Sequence, residues 1–319
     1  MGSVRALQAA DLWDTGTTST PSASYILASP FSRWRWQTDA TELWLKTFNN
    51  IYGLFPDWTH IDVSVNGASY AVLAASAANT QVFQQALPAG NKIVDIVLGL
   101  QSKPSATVLG TFPNVIYFFG GTPTGTTMLT PSVSNRLVIY GDSIAVGANA
   151  TYPTHEGWAA KLRTLRGNVA VEAWGYRSLY DDCVDSTARA AFVTQMASYS
   201  PSLIWLAIGT NDYGLNKWSA ASFGTAYAAL LDDLHTALPS AAIYCQTPVI
   251  RTTETANGNG STLGAYRTQI ATAQAARSGY CTLVDGTAIL TVGDLDDGVH
   301  PSTAGHATYY ASVKATLGL

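Results

Sequence analysis

The feature that most constrains the fold is a change of hydrophobic periodicity before the middle of the chain. Up to about residue 121, short runs rich in β-branched and aromatic residues, such as RWRWQT, HIDVSVNG and VIYFFGG, alternate with turn signals. After residue 136, nearly continuous apolar runs such as LVIY and LIWLAIG alternate with amphipathic segments of helical length, including residues 265–276. These two patterns predict two domains of different structural class.

The first pattern predicts an all-β sandwich domain over residues 1–130. Asn66-Gly67, between IDVSV and SYAVL, is a strong hairpin signal because both residue types tolerate the positive φ of a type I′ turn. The aromatic residues of RWRW and DWTH are interpreted as core packing, with a platform for sugar rings as the alternative. The domain is thus expected to be structural, to bind carbohydrate or to shape the pocket.

The second pattern predicts an α/β domain over residues 131–319, joined to the first by the Thr-, Ser- and Pro-rich stretch Thr122 to Arg136. Strands that are apolar throughout, separated by helices, are typical of a parallel sheet covered on both faces. About five strands are expected. A ligand site in such a sheet lies at the carboxyl ends of its strands.

Composition excludes several classes of protein. With 47% hydrophobic and 12% charged residues, the 319-residue chain is expected to fold. The net charge is −4 and no basic run could follow a phosphate backbone, so no nucleic-acid partner is expected. No apolar run approaches the roughly 18 residues of a membrane span, and MGSVRALQAADLWDTG lacks the apolar core of a signal peptide. The compartment stays open, and a secreted location is expected if a leader has been removed.

The cysteines give no sign of a metal site. Cys183, Cys245 and Cys281 are widely spaced, without a CxxC pair or a neighbouring histidine cluster. They are interpreted as small core residues, and one disulfide is left open. Neither a metal nor a cofactor is expected.

Polar residues that can carry acyl-transfer chemistry follow the predicted strands. Ser143 comes directly after the first strand of the α/β domain, in YGDSI. A serine hydroxyl needs a base to become a nucleophile, and the C-terminal run DDGVH supplies His300 with Asp297 three positions before it. Asp297 can orient one imidazole nitrogen of His300 and leave the other for Ser143.

Candidate donors for an oxyanion hole follow the second and third strands. Asn211, in GTND, carries a side-chain amide, and the turn AWGYRS offers the backbone N–H of Gly175 or of Tyr176. The N–H of Ser143 itself is a third donor. His306 is interpreted as a helix-packing histidine, and the pairs Asp181-Asp182 and Asp232-Asp233 are expected on solvated faces.

The order of these motifs resembles that of the SGNH, or GDSL-type, hydrolase family, over about residues 135–319. The matching blocks are GDSI, with isoleucine in place of the usual leucine, the turn at Gly175, GTND and DGVH. The resemblance implies a flavodoxin-like three-layer domain, Ser143 as nucleophile, His300 as base with Asp297 as its acid, and an oxyanion hole of Ser143, Gly175 and Asn211. No G-x-S-x-G elbow surrounds Ser143, which argues against the α/β-hydrolase fold.

The expected function is therefore hydrolysis of a short-chain ester through an acyl-enzyme. A jelly-roll-like domain ahead of an SGNH domain resembles some carbohydrate esterases, so removal of O-acetyl groups from a carbohydrate is favoured. A general carboxylesterase or arylesterase is the near alternative, and a lipase is less favoured without an interfacial apolar helix. A glycan-binding protein with an inactive hydrolase domain is the alternative from another class. The expected partner is a small-molecule or polysaccharide ester, and the oligomeric state is left open.

Overall fold

The computed structural model describes residues 33–48, 60–74, 80–99, 114–120, 124–129 and 135–319. Contacts between Cα atoms divide the chain into two compact units, residues 1–130 and 131–319. The N-terminal segment considered as a leader, residues 57–59 of DWTH and, in the predicted linker, residues 122–123 and 130–134 lie outside the described residues.

The described residues of the first unit form two antiparallel sheets, which confirms the prediction of a β domain. One has the strand order β4-β3-β6-β1-β8 and the other β5-β2-β7. The strands are β1 (Arg33–Thr38), β2 (Glu42–Phe48), β3 (His60–Val65), β4 (Ala68–Ala74), β5 (Thr80–Ala86), β6 (Lys92–Gly99), β7 (Asn114–Gly120) and β8 (Thr126–Met128).

The predicted hairpin connects β3 and β4. Asn66 and Gly67 have φ values of 52° and 83°, the left-handed conformation that a type I′ turn requires at both central positions. The Asn66 side-chain oxygen also accepts a hydrogen bond from the backbone N–H of Ile93 at 2.9 Å, which fixes the turn against β6. Val63 and Val65 are buried on the same face of β3, as period-two alternation requires.

The second unit is built on a five-stranded parallel sheet of order β10-β9-β11-β12-β13. Counted within the unit, this is the order 2-1-3-4-5 of flavodoxin-like domains, and it confirms the predicted fold class. Each strand falls on one of the predicted apolar runs. The strands are β9 (Leu137–Gly141), β10 (Val169–Ala173), β11 (Leu203–Ala207), β12 (Ala242–Gln246) and β13 (Cys281–Val284).

Helices pack in two groups, as expected for a sheet covered on both faces. One group contains α1, α2, α3 and α9, and the other contains α4 to α8. Their bounds are α1 (Ser143–Val146), α2 (Pro153–Glu156), α3 (Trp158–Arg166), α4 (Leu179–Cys183), α5 (Ser186–Ser198), α6 (Thr210–Gly214), α7 (Ala220–Ala237), α8 (Leu263–Ala275) and α9 (Thr303–Thr316). Large aromatic side chains fill the first group: Trp158 of α3 stacks on Tyr309 of α9 with ring centroids 4.6 Å apart.

The three cysteines are buried free thiols, so they are core residues as predicted. In the part of the chain that the structure describes, no helix is both long and apolar enough to cross a membrane. Among the same described residues, no three His, Cys, Asp or Glu side chains are grouped so that they could hold a metal ion.

Candidate active site

The candidate site lies at the carboxyl edge of the parallel sheet, where neighbouring strands end at the same level. In the strand register, Gly141 of β9 is level with Ala173 of β10 and Ala207 of β11. The chain therefore turns out of the sheet at adjacent points after each of these strands. Ser143, Gly175 and Asn211 all follow within a few residues.

Ser143 is placed by a sharp strand-to-helix turn. Asp142 caps α1 by accepting a hydrogen bond from the N–H of Ile144 at 2.9 Å, so Ser143 is the first helical residue. Gly141 is needed before it, because a Cβ at this position would lie 2.5 Å from the Cβ of Ala145. The turn leaves Ser143 Oγ 2.9 Å from His300 Nε2.

A short loop holds the imidazole of His300 against the carboxylate of Asp297. Asp297 Oδ2 lies 2.7 Å from His300 Nδ1, while Asp297 Oδ1 accepts hydrogen bonds from the backbone N–H groups of Val299 and His300. Partial burial alone would raise the pKa of Asp297. The hydrogen bonds from His300 and Val299 have the larger combined effect, and the pKa is lowered to about 2. The carboxylate is therefore ionised at any ordinary pH and can only accept.

This chain of contacts assigns the protons. Because ionised Asp297 accepts, Nδ1 of His300 carries the ring hydrogen, and Nε2 is left to accept from the hydroxyl of Ser143. The structure thus brings the three residues that the sequence singled out into one hydrogen-bonded series. Such a series can remove the hydroxyl proton of a serine as it attacks a carbonyl carbon.

The turn after β10 and the motif after β11 are joined by Asn211. Its side-chain amide donates to the carbonyl of Arg177 at 2.9 Å. Gly209, the residue that caps α6, has φ 119°, and a Cβ there would lie 3.2 Å from both Phe223 and Pro248. Glycine at this position therefore lets the motif approach its neighbours closely. Asn211 has a second amide hydrogen that this contact does not use.

Residues 174–177 form a tight turn that contains the other candidate donors. The N–H of Arg177 donates to the carbonyl of Trp174 at 3.4 Å, with Gly175 and Tyr176 between them. Tyr176 has φ 64°, a left-handed conformation that is unfavourable for an aromatic residue, and its side chain is 57% exposed. Gly175 is buried beside it.

Two buried carboxyl groups lie next to these motifs. Burial raises the pKa of Asp142 to about 6, although backbone hydrogen bonds from Ile144 and from Asp142 itself act in the opposite direction. Burial likewise raises the pKa of Asp212 to about 7, although Asp212 accepts from the N–H groups of Leu179 and Tyr180 at the start of α4. Asp212 therefore has a capping role, which the sequence could not separate from pocket lining.

The burial of Asp142 predicts a pH-dependent effect of Asp142→Asn on stability. The carboxyl has a higher pKa in the folded state than its ordinary value of 3.8, so ionisation costs stability as pH rises from about 4 through 6. The asparagine keeps an oxygen for Ile144 and carries no charge. We expect the free energy of unfolding of the variant, relative to wild type, to rise by up to about 3 kcal/mol between pH 4 and pH 8. Urea unfolding at several pH values measures this, and a difference that is flat with pH would contradict it.

Comparison with known families finds a match within the second unit. The family model of the GDSL-like lipase/acylhydrolase family matches residues 139–308, which contain all of the motifs described above. The chain belongs to this family. Membership supports an esterase and agrees with the resemblance found in the sequence. A search of curated protein sequences found no match.

Solved structures similar to this GDSL-like hydrolase cover nearly all of its length. One is the salicylyl-acyltransferase SsfX3 from a tetracycline biosynthetic pathway, at 18% identity and TM-score 0.68, covering 90% of this chain and 82% of that one. A family two carbohydrate esterase from Clostridium thermocellum in complex with cellohexaose has 18% identity and TM-score 0.63, covering 92% and 94%. The acetyl xylan esterase Est2A from Butyrivibrio proteoclasticus has 13% identity and TM-score 0.64, covering 96% and 95%. At these identities the likeness shows a shared fold.

The family motifs do not account for every residue that supports the site. Asp182, expected on a solvated face, has a side chain only 12% exposed that binds the buried guanidinium of Arg177 and the hydroxyl of Tyr140. That expectation was wrong for Asp182, because an acidic pair on a helix does not reveal which member faces a buried cation. His306 is fully buried and its Nε2 lies 2.9 Å from the carbonyl of Ala148, as a packing role predicts.

The loop after β12 also supports both sides of the site. Its position after a strand end made Arg251 a candidate for the pocket, whereas Thr252 was missed. Arg251 donates to the carbonyl of Thr210 at 3.2 Å, next to Asn211. Its neighbour Thr252 donates its N–H to the carbonyl of Gly298 at 3.0 Å, inside the loop between Asp297 and His300. Only position in space connects Thr252 to the site, since RTT matches no motif.

Proposed function

We propose that the protein is a serine esterase that acts through a covalent acyl-enzyme. The observation that carries the proposal is the hydrogen-bonded series from Ser143 through His300 to Asp297. As Ser143 Oγ attacks the ester carbonyl, His300 Nε2 takes its proton and later gives it to the leaving alcohol. Water then attacks the acyl-enzyme, His300 takes a proton from it, and release of the acid restores the Ser143 hydroxyl.

The negative oxygen of each tetrahedral intermediate would be held by three donors. These are the N–H of Ser143, the free amide hydrogen of Asn211 and a backbone N–H of the turn after β10, from Gly175 or Tyr176. Ser143 and Asn211 follow neighbouring strands, and the bond from Asn211 to the carbonyl of Arg177 links this amide to that turn. This linkage supports a single oxyanion hole built from the three motifs.

The loss of one donor should slow the chemical step. In Asn211→Ala we expect kcat to fall about 100- to 1000-fold with a smaller change in KM, because the donor acts mainly in the transition state. Steady-state hydrolysis of p-nitrophenyl acetate measures both constants. Asn259→Ala, whose amide donates to the carbonyl of Asn216 in an exposed loop, is the matched control. Equal kcat in Asn211→Ala and wild type would remove Asn211 from the oxyanion hole.

The substrate class that we propose is an acetylated carbohydrate. Two of the structurally similar proteins are carbohydrate esterases by description. Solvent also reaches part of the series, with 24% of the His300 side chain and 46% of the Asp297 side chain exposed although Ser143 itself is buried, and this agrees with a bulky alcohol such as a polysaccharide. Within this proposal, residues 131–319 form the catalytic domain, and residues 1–130 bind glycan or shape the pocket.

Hydrolysis of p-nitrophenyl esters from acetate to decanoate, with acetylated xylan in parallel, tests this proposal. We expect activity that is highest on acetate, together with acetate release from xylan. Activity on the synthetic esters without release from xylan would favour a general carboxylesterase or arylesterase. If wild type hydrolyses none of the esters but binds xylan, the glycan-binding alternative replaces the esterase.

A further inference from the structure

We propose that Arg177 is a positioning residue that fixes the oxyanion donors after β10 and after β11 relative to each other. The inference rests on the proposed function and assigns a role to a side chain that is neither a candidate oxyanion donor nor part of the series from Ser143 to Asp297. Arg177 lies two residues after Gly175, its side chain is completely buried, and its backbone carbonyl accepts from Asn211.

Aromatic rings enclose the guanidinium of Arg177. Its central carbon lies 3.3 Å from the ring centroid of Trp174, 4.4 Å from that of Tyr140 and 5.3 Å from that of Phe192. A planar, weakly hydrated guanidinium can stack in this way, whereas a compact ammonium cannot fill the same slot. Because Trp174 begins the turn and Arg177 ends it, the stack clamps the two ends of the turn together.

Ion pairs fix the guanidinium along the strand that leads into the turn. Nε donates to Asp182 Oδ2 at 2.8 Å, and Nη1 donates to the backbone carbonyl of Glu172 at 2.7 Å and to its carboxylate at 3.3 Å. Both carboxylates have side chains only 12% exposed, so solvent screens these contacts weakly. Arg177 thereby anchors the turn to β10 on one side and to α4 on the other.

The backbone that this anchor holds is strained. Tyr176 has φ 64°, a left-handed conformation that a residue with a side chain keeps only where the surroundings impose it. The carbonyl of Arg177, at the end of the same turn, accepts the hydrogen bond from the Asn211 amide at 2.9 Å and so orients that amide. Loosening Arg177 would therefore displace two of the three proposed donors, while Ser143, His300 and Asp297 keep contacts that do not involve Arg177.

Arg177→Lys tests the proposal. It retains the positive charge, but it loses the stacking of the planar guanidinium on the aromatic rings and the paired hydrogen bonds through Nε and Nη1. We expect kcat for p-nitrophenyl acetate to fall about tenfold to a hundredfold, the scale of a small misplacement in an active site, with KM changed less than threefold. The pH profile of kcat should keep its midpoint, because His300 and Asp297 are untouched. Arg277→Lys, which replaces an arginine paired with Asp232 at the surface, is the matched control.

A double-mutant cycle with Asn211→Ala separates positioning from general loss of structure. If Arg177 acts through the oxyanion donors, Arg177→Lys should cost much less in the Asn211→Ala background than alone. Thermal unfolding and titration of Ser143 with a fluorophosphonate give the folded, active fraction. If Arg177→Lys does not fold, Asp182→Asn weakens the same anchor more mildly and should show a smaller fall in kcat with the same non-additivity.

The proposal is overturned if the fold-reductions in kcat caused by Arg177→Lys and Asn211→Ala multiply in the double variant. It is also overturned if Arg177→Lys has the wild-type kcat per active site, or if the midpoint of its pH profile moves. Each of these outcomes leaves the esterase proposal intact, because wild type still hydrolyses the ester. Failure of the esterase proposal has a separate signature, in which wild type neither hydrolyses p-nitrophenyl acetate nor reacts with the fluorophosphonate.

Discussion

Ser143→Ala is expected to lower kcat for p-nitrophenyl acetate by about 10⁴- to 10⁶-fold, the scale seen when a serine nucleophile is removed. The alanine removes only the hydroxyl oxygen that lies 2.9 Å from His300 Nε2. Since Ser143 begins a helix capped by the side chain of Asp142, the fold and the helix should persist. The thermal midpoint is therefore expected to stay within a few degrees of wild type.

A matched control for this prediction is Ser198→Ala, an exposed serine in α5 that donates only to the carbonyl of Gln195. It should retain wild-type kcat and KM. Substantial turnover by Ser143→Ala, beyond trace contamination, would contradict the assignment of the nucleophile. Loss of activity in both variants would point to a general effect of the substitutions and would also count against it.

Asp297→Asn is expected to lower kcat by about 10⁴-fold. The carboxylate, with its pKa held near 2, keeps the hydrogen of His300 on Nδ1 and stabilises the imidazolium that forms during attack. An asparagine amide can donate to Nδ1, which would leave the hydrogen on Nε2 and prevent that atom from accepting the Ser143 proton. Stopped assays across pH 5 to 9 should show the loss throughout, because Asp297 is ionised over that whole range.

The neighbouring aspartate provides the control. Asp296 accepts from the side chain of Asn149 at 3.1 Å and belongs to the same loop. Asp296→Asn should therefore change kcat less than tenfold. If Asp296→Asn and Asp297→Asn lose activity equally, the charge of the loop and not the contact with His300 would be responsible.

Sequence patterns predicted the parallel sheet because its strands are buried on both faces. Leu137–Gly141 is buried at every position, so apolar residues run without interruption and mark the strand unambiguously. The residues after the strands could then be placed at one edge of the sheet by topology alone. For this reason Ser143 and Asn211 were placed together from sequence, whereas the Asp297–His300 pair, on a loop before the last helix, was found from its own spacing of three residues.

The supporting contacts could not be predicted, because they depend on side-chain direction within loops. Nothing in AWGYRS indicates that Arg177 points inwards to Asp182 and that Tyr176 takes a left-handed conformation. An arginine is usually exposed, and only the neighbouring aromatic residue Trp174 gave a weak signal for stacking. The contact between Thr252 and Gly298 joins two loops that are far apart in sequence, and hydrophobic periodicity does not predict contacts between loops.

Acid quenching during turnover of p-nitrophenyl acetate would trap an acyl-enzyme on Ser143, the intermediate on which the proposed mechanism depends. Proteolysis and peptide mass mapping of the quenched protein then locate any acetyl group. We expect one acetyl group on the peptide that carries Ser143, accumulating in the first turnover and absent from Ser143→Ala. Acetylation at a different residue that keeps pace with turnover, or rapid wild-type turnover with no acetylated peptide at any quench time, would contradict it.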